Sequence, residues 1–136
     1  MKRMVFIFCG LIFFNSCRDK RHNYIVTNTY DYWVVDDEYY QNTFACYAYQ
    51  FYENGEYKLF VIRKNKKQIH PYSGGDVIYL DNKWKLFDDS IKIGSNNFKL
   101  DIINDKELFI KSKGFKEKLL KMKYKEDYIK MKDPLN

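Results

Sequence analysis

The sequence predicts an all-β domain: an antiparallel up-and-down meander of about eight strands that closes into a small barrel and is preceded by a signal peptide. Apolar and polar residues alternate with period two, and turn-forming residues interrupt the alternation about every eight to twelve positions. Tyr, Phe and Trp make up 19% of the 136 residues, which excludes a disordered chain. An open meander of this length would expose two strand edges, so closure into a barrel is favoured.

The N-terminal segment has the three parts of a secretory signal. Lys2 and Arg3 form a charged head, residues 4–14 form an apolar run of 11 residues, and residues 15–16 form a polar exit. A helix that spans the hydrocarbon core needs about 20 residues, so this run is too short for a membrane span. We therefore assign residues 1–16 to a signal peptide and exclude them from the fold.

The end of this segment, Ser16-Cys17, resembles the lipobox of bacterial lipoproteins, in which a Cys after a small residue is acylated and becomes the new N-terminus. The resemblance implies lipidation of Cys17, including palmitate, and attachment of the chain to a membrane through this lipid. In such proteins an Asp after the Cys retains the protein at the inner membrane. Arg18 stands there instead, which implies the bacterial outer membrane, on its periplasmic or surface face. The alternative is an ordinary signal peptide with a Cys beside its cleavage point.

The positions of the three cysteines are consistent with lipidation of Cys17. Cys9 lies in the apolar run and would leave with the signal, so the mature chain keeps Cys17 and Cys46. If Cys17 carries lipid, Cys46 is expected to be a buried thiol. A disulfide between Cys17 and Cys46 is the competing prediction for an exported chain.

The first half of the domain contains three predicted strands. In residues 30–35, one face of the strand holds Tyr30, Tyr32 and Val34 and the other holds Trp33 and Val35, and an acidic stretch at 36–38 ends the strand. Residues 44–52 and 57–63 form the next two strands. The Asn54-Gly55 pair between these strands predicts a type I′ hairpin turn, in which both residues have positive φ.

The second half contains shorter strands between turn-forming residues. The charged stretch 64–67 and the glycine-containing stretch 72–76 are predicted connections. The predicted strands are residues 77–80, 84–87, 91–93, 98–102, 108–111 and 120–125. Connections this short make neighbouring strands antiparallel. The predicted divisions are a lipid-anchored polar tether at 17–28, the barrel at 29–126 and a C-terminal tail at 127–136.

One series of motifs runs through this meander. The glycine-containing hairpin of residues 51–57, the Trp84-Lys85-Leu86 strand, the Asp88-Asp89 turn and the Ile91-Lys92-Ile93 strand follow one another along the chain. In this order the chain resembles small bacterial lipocalin-like lipoproteins over residues 30–125. The resemblance implies a lipocalin-like barrel in the cell envelope and names no ligand, because most members have none established.

The barrel interior is the first candidate site. A barrel of about eight strands is just wide enough to be filled by side chains or to hold one small ligand. Aromatic residues expected to line it, with hydroxyls and an indole N–H to orient an apolar or amphipathic guest, are Tyr47, Tyr49, Phe51, Tyr57, Phe60 and Trp84. The alternative is that these side chains simply pack the core.

The loop predicted at residues 69–75 is the second candidate site. It is aromatic, it contains Pro71, and its glycines bend it, so His70, Pro71 and Tyr72 are expected to contact an envelope protein partner. Envelope lysozyme inhibitors and toxin-immunity lipoproteins use comparably small β scaffolds in this way.

Catalytic and metal-binding motifs are missing from the sequence. No nucleophile can be paired with a base, and His22 and His70 are too far apart for metal-ligand spacing. We therefore expect no enzymatic activity, no metal and no cofactor. The basic stretches 63–67 and 111–125 are expected to be solvated faces or contacts with anionic lipid headgroups, since export argues against nucleic acid.

Overall fold

The computed structural model describes residues 19–36, 45–63, 68–72 and 81–124. A short helix, α1 (Lys20–Ile25), precedes nine strands. The strands are β1 (Asp31–Val35), β2 (Ala45–Phe51), β3 (Tyr57–Arg63), β4 (Gln68–Pro71), β5 (Trp84–Phe87), β6 (Ser90–Ile93), β7 (Asn96–Asn104), β8 (Glu107–Ser112) and β9 (Phe115–Lys123). The signal peptide, Cys17, the strand predicted at 77–80 and the tail lie outside the described residues.

The nine strands form one antiparallel sheet in the order β4-β3-β2-β1-β9-β8-β7-β6-β5. Consecutive strands pair with each other, apart from β4 and β5, which lie at the two ends of the described sheet. In addition, the last strand, β9, pairs with the first strand, β1. The sheet curls into a half-barrel, so the predicted all-β up-and-down fold is confirmed, with nine strands instead of about eight. This meander is consistent with a lipocalin-like fold.

The end strand β5 meets the start of β3 at one place, which we call the seam. Glu56 and Lys83 form an isolated antiparallel bridge. Beside it, the backbone N–H of Trp84 donates to the oxygen of Gly55 at 2.8 Å, and that of Tyr57 donates to the oxygen of Asn82 at 2.8 Å. The start of β3 is therefore joined to the start of β5.

Alternation along the strands separates two apolar clusters. The inner face of the half-barrel holds Ile25, Trp33, Val35, Phe51, Trp84, Ile91, Ile93, Leu100, Leu108, Ile110 and Leu119. On β1–β4 the outer face is buried as well and holds Tyr32, Val34, Cys46, Ala48, Phe60, Ile62 and Ile69, with Tyr124 packed against them. Cys46 is 3% exposed, so its predicted burial is confirmed, whereas the alternative of a Cys17–Cys46 disulfide involves a residue outside the described ranges.

Helix α1 differs from the polar tether predicted at 17–28. Asp19 caps it by accepting a hydrogen bond from the backbone N–H of Arg21 at 3.0 Å. The side chain of Ile25 is 0% exposed and belongs to the inner cluster. Its backbone oxygen accepts a hydrogen bond from Trp33 Nε1 at 2.8 Å. The folded domain therefore includes α1. With only six residues, α1 is too short to show a helical period in the sequence.

The chain that follows α1 is also tied to the sheet. Thr27 Oγ1 accepts a hydrogen bond from the backbone N–H of Phe51 at 3.0 Å. The backbone N–H of Thr27 donates to the oxygen of Phe51 at 2.9 Å. Lys121 Nζ donates to the backbone oxygens of Tyr24 at 2.6 Å and Val26 at 3.3 Å. The two bonds from Lys121 satisfy backbone oxygens at the C-terminal end of the helix, which have no partner within the helix itself.

Two local predictions were wrong. At the β2–β3 hairpin, Gly55 has φ +81°, but Asn54 is not among the residues with positive φ, so the turn is not type I′. The backbone N–H of Gly55 donates to Tyr52 at 3.0 Å, and that of Tyr52 donates to Glu56 at 2.8 Å, which is a three-residue loop with a glycine bulge. The second error is β4, predicted as part of a loop; Pro71 is tolerated there because β4 is the end strand of the described sheet.

Candidate functional site

The residues predicted to bind a ligand form a row of aromatic rings on the inner face. We call Tyr47, Tyr49, Phe51, Tyr57 and Trp84 the aromatic row. The rings of Tyr49 and Phe51 stack at 5.7 Å between centroids, and those of Phe51 and Trp84 meet edge to face at 5.3 Å. Tyr57 joins the row at 6.5 Å from Tyr49. The sheet therefore brings together side chains from β2, β3 and β5.

Phe60 does not belong to this row. It lies on the outer face, 5% exposed, and its ring meets Tyr32 edge to face at 5.1 Å. Tyr57 and Phe60 are three residues apart on one strand, so their side chains point to opposite faces of the sheet. The prediction that both line the interior was therefore wrong for Phe60.

Two members of the row are core residues. Phe51 is 1% exposed and Trp84 is 4% exposed. Trp84 Nε1 donates to the backbone oxygen of Tyr52 at 2.9 Å, so this indole N–H is committed to the protein. The ring of His22 on α1 lies 4.9 Å from that of Trp84. At this end of the inner face, the predicted packing alternative describes the side chains better than a cavity does.

The other three members, Tyr47, Tyr49 and Tyr57, are only half-buried. The hydroxyl of Tyr57 donates to the backbone oxygen of Asp81 at 3.4 Å. Burial raises the pKa of Tyr57 and the nearby Asp81 adds to the effect, so this hydroxyl stays protonated and able to donate at neutral pH.

The residues predicted as a partner loop lie on and beside β4. His70 is 5% exposed, and both of its ring nitrogens are buried with no hydrogen-bond partner among the described residues. Pro71 and Tyr72 are half-buried. The backbone N–H of Tyr72 donates to the oxygen of Leu59 at 2.9 Å, and its ring meets that of Tyr47 edge to face at 5.6 Å. Tyr72 thus extends the aromatic row instead of standing apart from it.

A pocket of about 240 Å³ opens where these residues meet, and we call it the seam pocket. Its lining consists of Tyr57, Lys58, Leu59, Pro71, Tyr72 and Asn82. The pairing of β3 explains its position. Residues 60–63 of β3 pair with β4, and the start of β3 is joined to the start of β5, so among the described residues an opening remains between these two neighbours.

The seam pocket combines residues that the sequence placed in two separate sites. Tyr57 came from the predicted ligand set, whereas Pro71 and Tyr72 came from the predicted partner set. Lys58, Leu59 and Asn82 were missed. Leu59 resembles any other strand residue, and the position of Asn82 depends on closure of the sheet, for which the sequence carries no local signal.

One ion pair crosses the seam next to residues that line the pocket. Lys83 Nζ lies 2.8 Å from Glu56 Oε1 across the seam. The hydrogen bond from Lys83 and a second from Asn54 lower the pKa of Glu56. Both side chains are well exposed, so the pair contributes little to stability and serves mainly to fix the pairing of the two strands.

The described part of the chain gives no support for other classes of site. It contains no group of three or more His, Cys, Asp or Glu side chains placed to hold a metal ion. Within the same ranges, no helix has the length and apolar character needed to cross a membrane. No protein-family model matches the sequence, and neither curated proteins nor solved structures gave a significant match.

Proposed function

We propose that this chain is a lipid-anchored envelope lipoprotein whose lipocalin-like domain binds one small apolar or amphipathic molecule in the seam pocket. The observation that carries the proposal is the pocket of about 240 Å³ between the rings of Tyr57 and Tyr72. Sites for drug-sized ligands measure about 300–1,000 Å³, so the guest is smaller, with one or two rings or a short acyl chain.

The chemistry of the lining supports an amphipathic guest. Leu59, Pro71 and the two Tyr rings provide apolar and aromatic walls. Lys58 and Asn82 add an ammonium group and an amide, which would orient an acidic or hydrogen-bonding end of the guest. Side chains of this kind at one opening are typical of small-molecule sites, in which few polar groups set orientation.

Packing of the inner face favours the seam over the barrel centre as the place of binding. Ile25 and Trp33 are each 0% exposed, and Phe51 packs beside them. A guest at this end would have to displace α1 from the sheet. A guest at the seam needs only the space already between β3, β4 and β5.

The anchoring part of the proposal rests on the sequence. Residues 1–16 have the composition of a signal peptide, and Ser16-Cys17 resembles a lipobox. Acylation of Cys17 would place the chain on a membrane of the bacterial cell envelope, with the outer membrane favoured by Arg18. Two acyl chains give stable attachment, which a single chain does not.

The binding proposal is tested by titrating the chain with 6-propionyl-2-(dimethylamino)naphthalene, a neutral two-ring probe whose fluorescence rises in apolar sites. We expect saturable binding that Tyr72→Ala weakens at least tenfold, because the variant removes one wall of the pocket. Tyr72→Phe keeps the ring and should bind as the wild type does. Tyr24→Ala, on α1 and outside the pocket lining, is the matched control.

Each variant is first checked for cooperative unfolding above the assay temperature, so that lost binding is not lost folding. Equal binding by Tyr72→Ala and the wild type would contradict the seam pocket as the site. No saturable binding by the wild type would contradict the choice of an apolar guest of this size.

A second candidate function is capture of an envelope protein partner. The observation in its favour is that β4 ends the described sheet, and an end strand can add a strand from another chain. Because His70 is buried, Pro71 and Tyr72 would carry the contact. Partner capture that survives both Tyr72→Phe and a saturating apolar probe would favour this function over small-molecule binding.

A further inference from the structure

Exposed apolar side chains gather where α1 meets β7 and β9. Tyr24 is 45% exposed, Ile103 53% and Met122 45%. We call these three residues the α1 patch. Tyr24 lines two adjoining surface hollows, one of about 510 Å³ that also includes Met122 and one of about 810 Å³ that also includes Ile103. Tyr24 therefore adjoins both other residues of the patch, Met122 in one hollow and Ile103 in the other.

Charges of both signs surround the patch. Lys106 and Lys123 line the first hollow, Arg21 lines the second, and Asp105 lines both. Arg21 is paired with Asp19 at 2.6 Å. Exposed apolar and Tyr side chains within a mixed rim suit the interfacial zone of a phospholipid bilayer, whose headgroups carry both phosphate and ammonium charges.

The length of chain before α1 limits how far the patch can be from the lipid. Asp19, the first described residue, follows Cys17 by two residues, so their Cα atoms are at most about 7 Å apart. Tyr24 lies four residues beyond the start of α1, a rise of about 6 Å. With the step from Asp19 to Lys20, Tyr24 lies within about 17 Å of Cys17. The headgroup layer of one leaflet is itself about 5–8 Å thick.

We propose that the α1 patch rests on the bilayer that holds Cys17, with Tyr24, Ile103 and Met122 in the headgroup zone. The domain is then held in one orientation on the membrane and does not swing on a long tether. This inference rests on the proposed acylation of Cys17. It adds a membrane-contact surface that lies outside the seam pocket.

The test uses the acylated chain from Cys17 onward in vesicles of phosphatidylethanolamine and phosphatidylglycerol. A nitroxide spin label is attached at Met122→Cys, and the matched control is Phe115→Cys. Phe115 is 40% exposed on the same strand, seven residues before Met122, or about 23 Å along it. Cys46 is buried, and labelled wild type gives its background signal. Ile103→Cys provides a second patch position if Met122→Cys does not fold.

The measured quantity is the ratio of label collisions with oxygen, which enters lipid, to collisions with a water-soluble nickel chelate. We expect this ratio to be at least threefold higher at Met122 or Ile103 than at Phe115. Equal ratios in acylated protein that floats with the vesicles would overturn the patch and leave the anchor standing. A protein mass without the lipid, together with failure to float, would overturn both.

Discussion

The Ile25→Ala substitution gives the most direct prediction about α1. Ile25 is 0% exposed and packs in the inner cluster, so the substitution deletes three buried carbon atoms and leaves a cavity. Changes of this kind cost about 2–5 kcal/mol, and we expect about 3 kcal/mol here. For a domain of roughly 100 residues, 1 kcal/mol corresponds to about 4–8 °C in Tm, so a loss of about 12–24 °C follows.

Urea unfolding of the full chain, followed by Trp fluorescence, measures this loss. Both Trp residues report on α1, because Trp33 Nε1 donates to the backbone of Ile25 at 2.8 Å and the Trp84 ring lies 4.9 Å from His22. Tyr24→Ala is the control, since an exposed side chain next to Ile25 should change stability by less than about 0.5 kcal/mol. A loss below about 1 kcal/mol for Ile25→Ala would refute the packing of α1 and return it to a tether.

Burial raises the pKa of Tyr32 to about 12. From about pH 10 the unfolded chain therefore releases this proton while the native state keeps it. The free energy of unfolding falls between about pH 10 and pH 12 as a result. Tyr32→Phe should remove about 3 kcal/mol of that alkaline loss in urea unfolding, and an identical loss in both proteins would contradict the burial of this hydroxyl. Gly94→Ala places a Cβ 2.9 Å from Tyr57 Oη, whereas Gly114→Ala meets nothing within 4 Å, and both positions have positive φ. Thermal unfolding should therefore show Gly94→Ala to be less stable than Gly114→Ala by at least about 1 kcal/mol, and equal midpoints would contradict this crowding. His70→Leu should raise the free energy of unfolding by about 1 kcal/mol, and Tm with it, because it removes two buried nitrogens that have no partner among the described residues; a lower Tm would reveal a bond that His70 makes.

The sequence predicted the strands where alternation and turn residues agree. The bounds expected for β3 and β5 match the observed Tyr57–Arg63 and Trp84–Phe87. Each follows a turn and carries period-two alternation, which is the clearest local signal for a strand. The four-residue β4 and six-residue α1 were missed, because elements this short contain too few residues to show a period.

The candidate site was predicted only in part, for a different reason. Tyr57 and Tyr72 were both singled out, but for separate sites, because what unites them is pairing between distant parts of the chain. Tyr72 reaches β3 through its bond to Leu59, and the start of β5 reaches β3 through the Glu56–Lys83 bridge. Such closure depends on strand stagger and sheet curvature, which no local pattern encodes.

Native mass spectrometry of the chain, purified from the cells in which it is made, tests the central claim most directly. The account predicts a reproducible adduct of one small apolar or amphipathic molecule on the wild type and on Tyr72→Phe. It also predicts that the adduct disappears in Tyr72→Ala. A wild type that carries no adduct, or an adduct that survives in Tyr72→Ala, would contradict binding at the seam pocket.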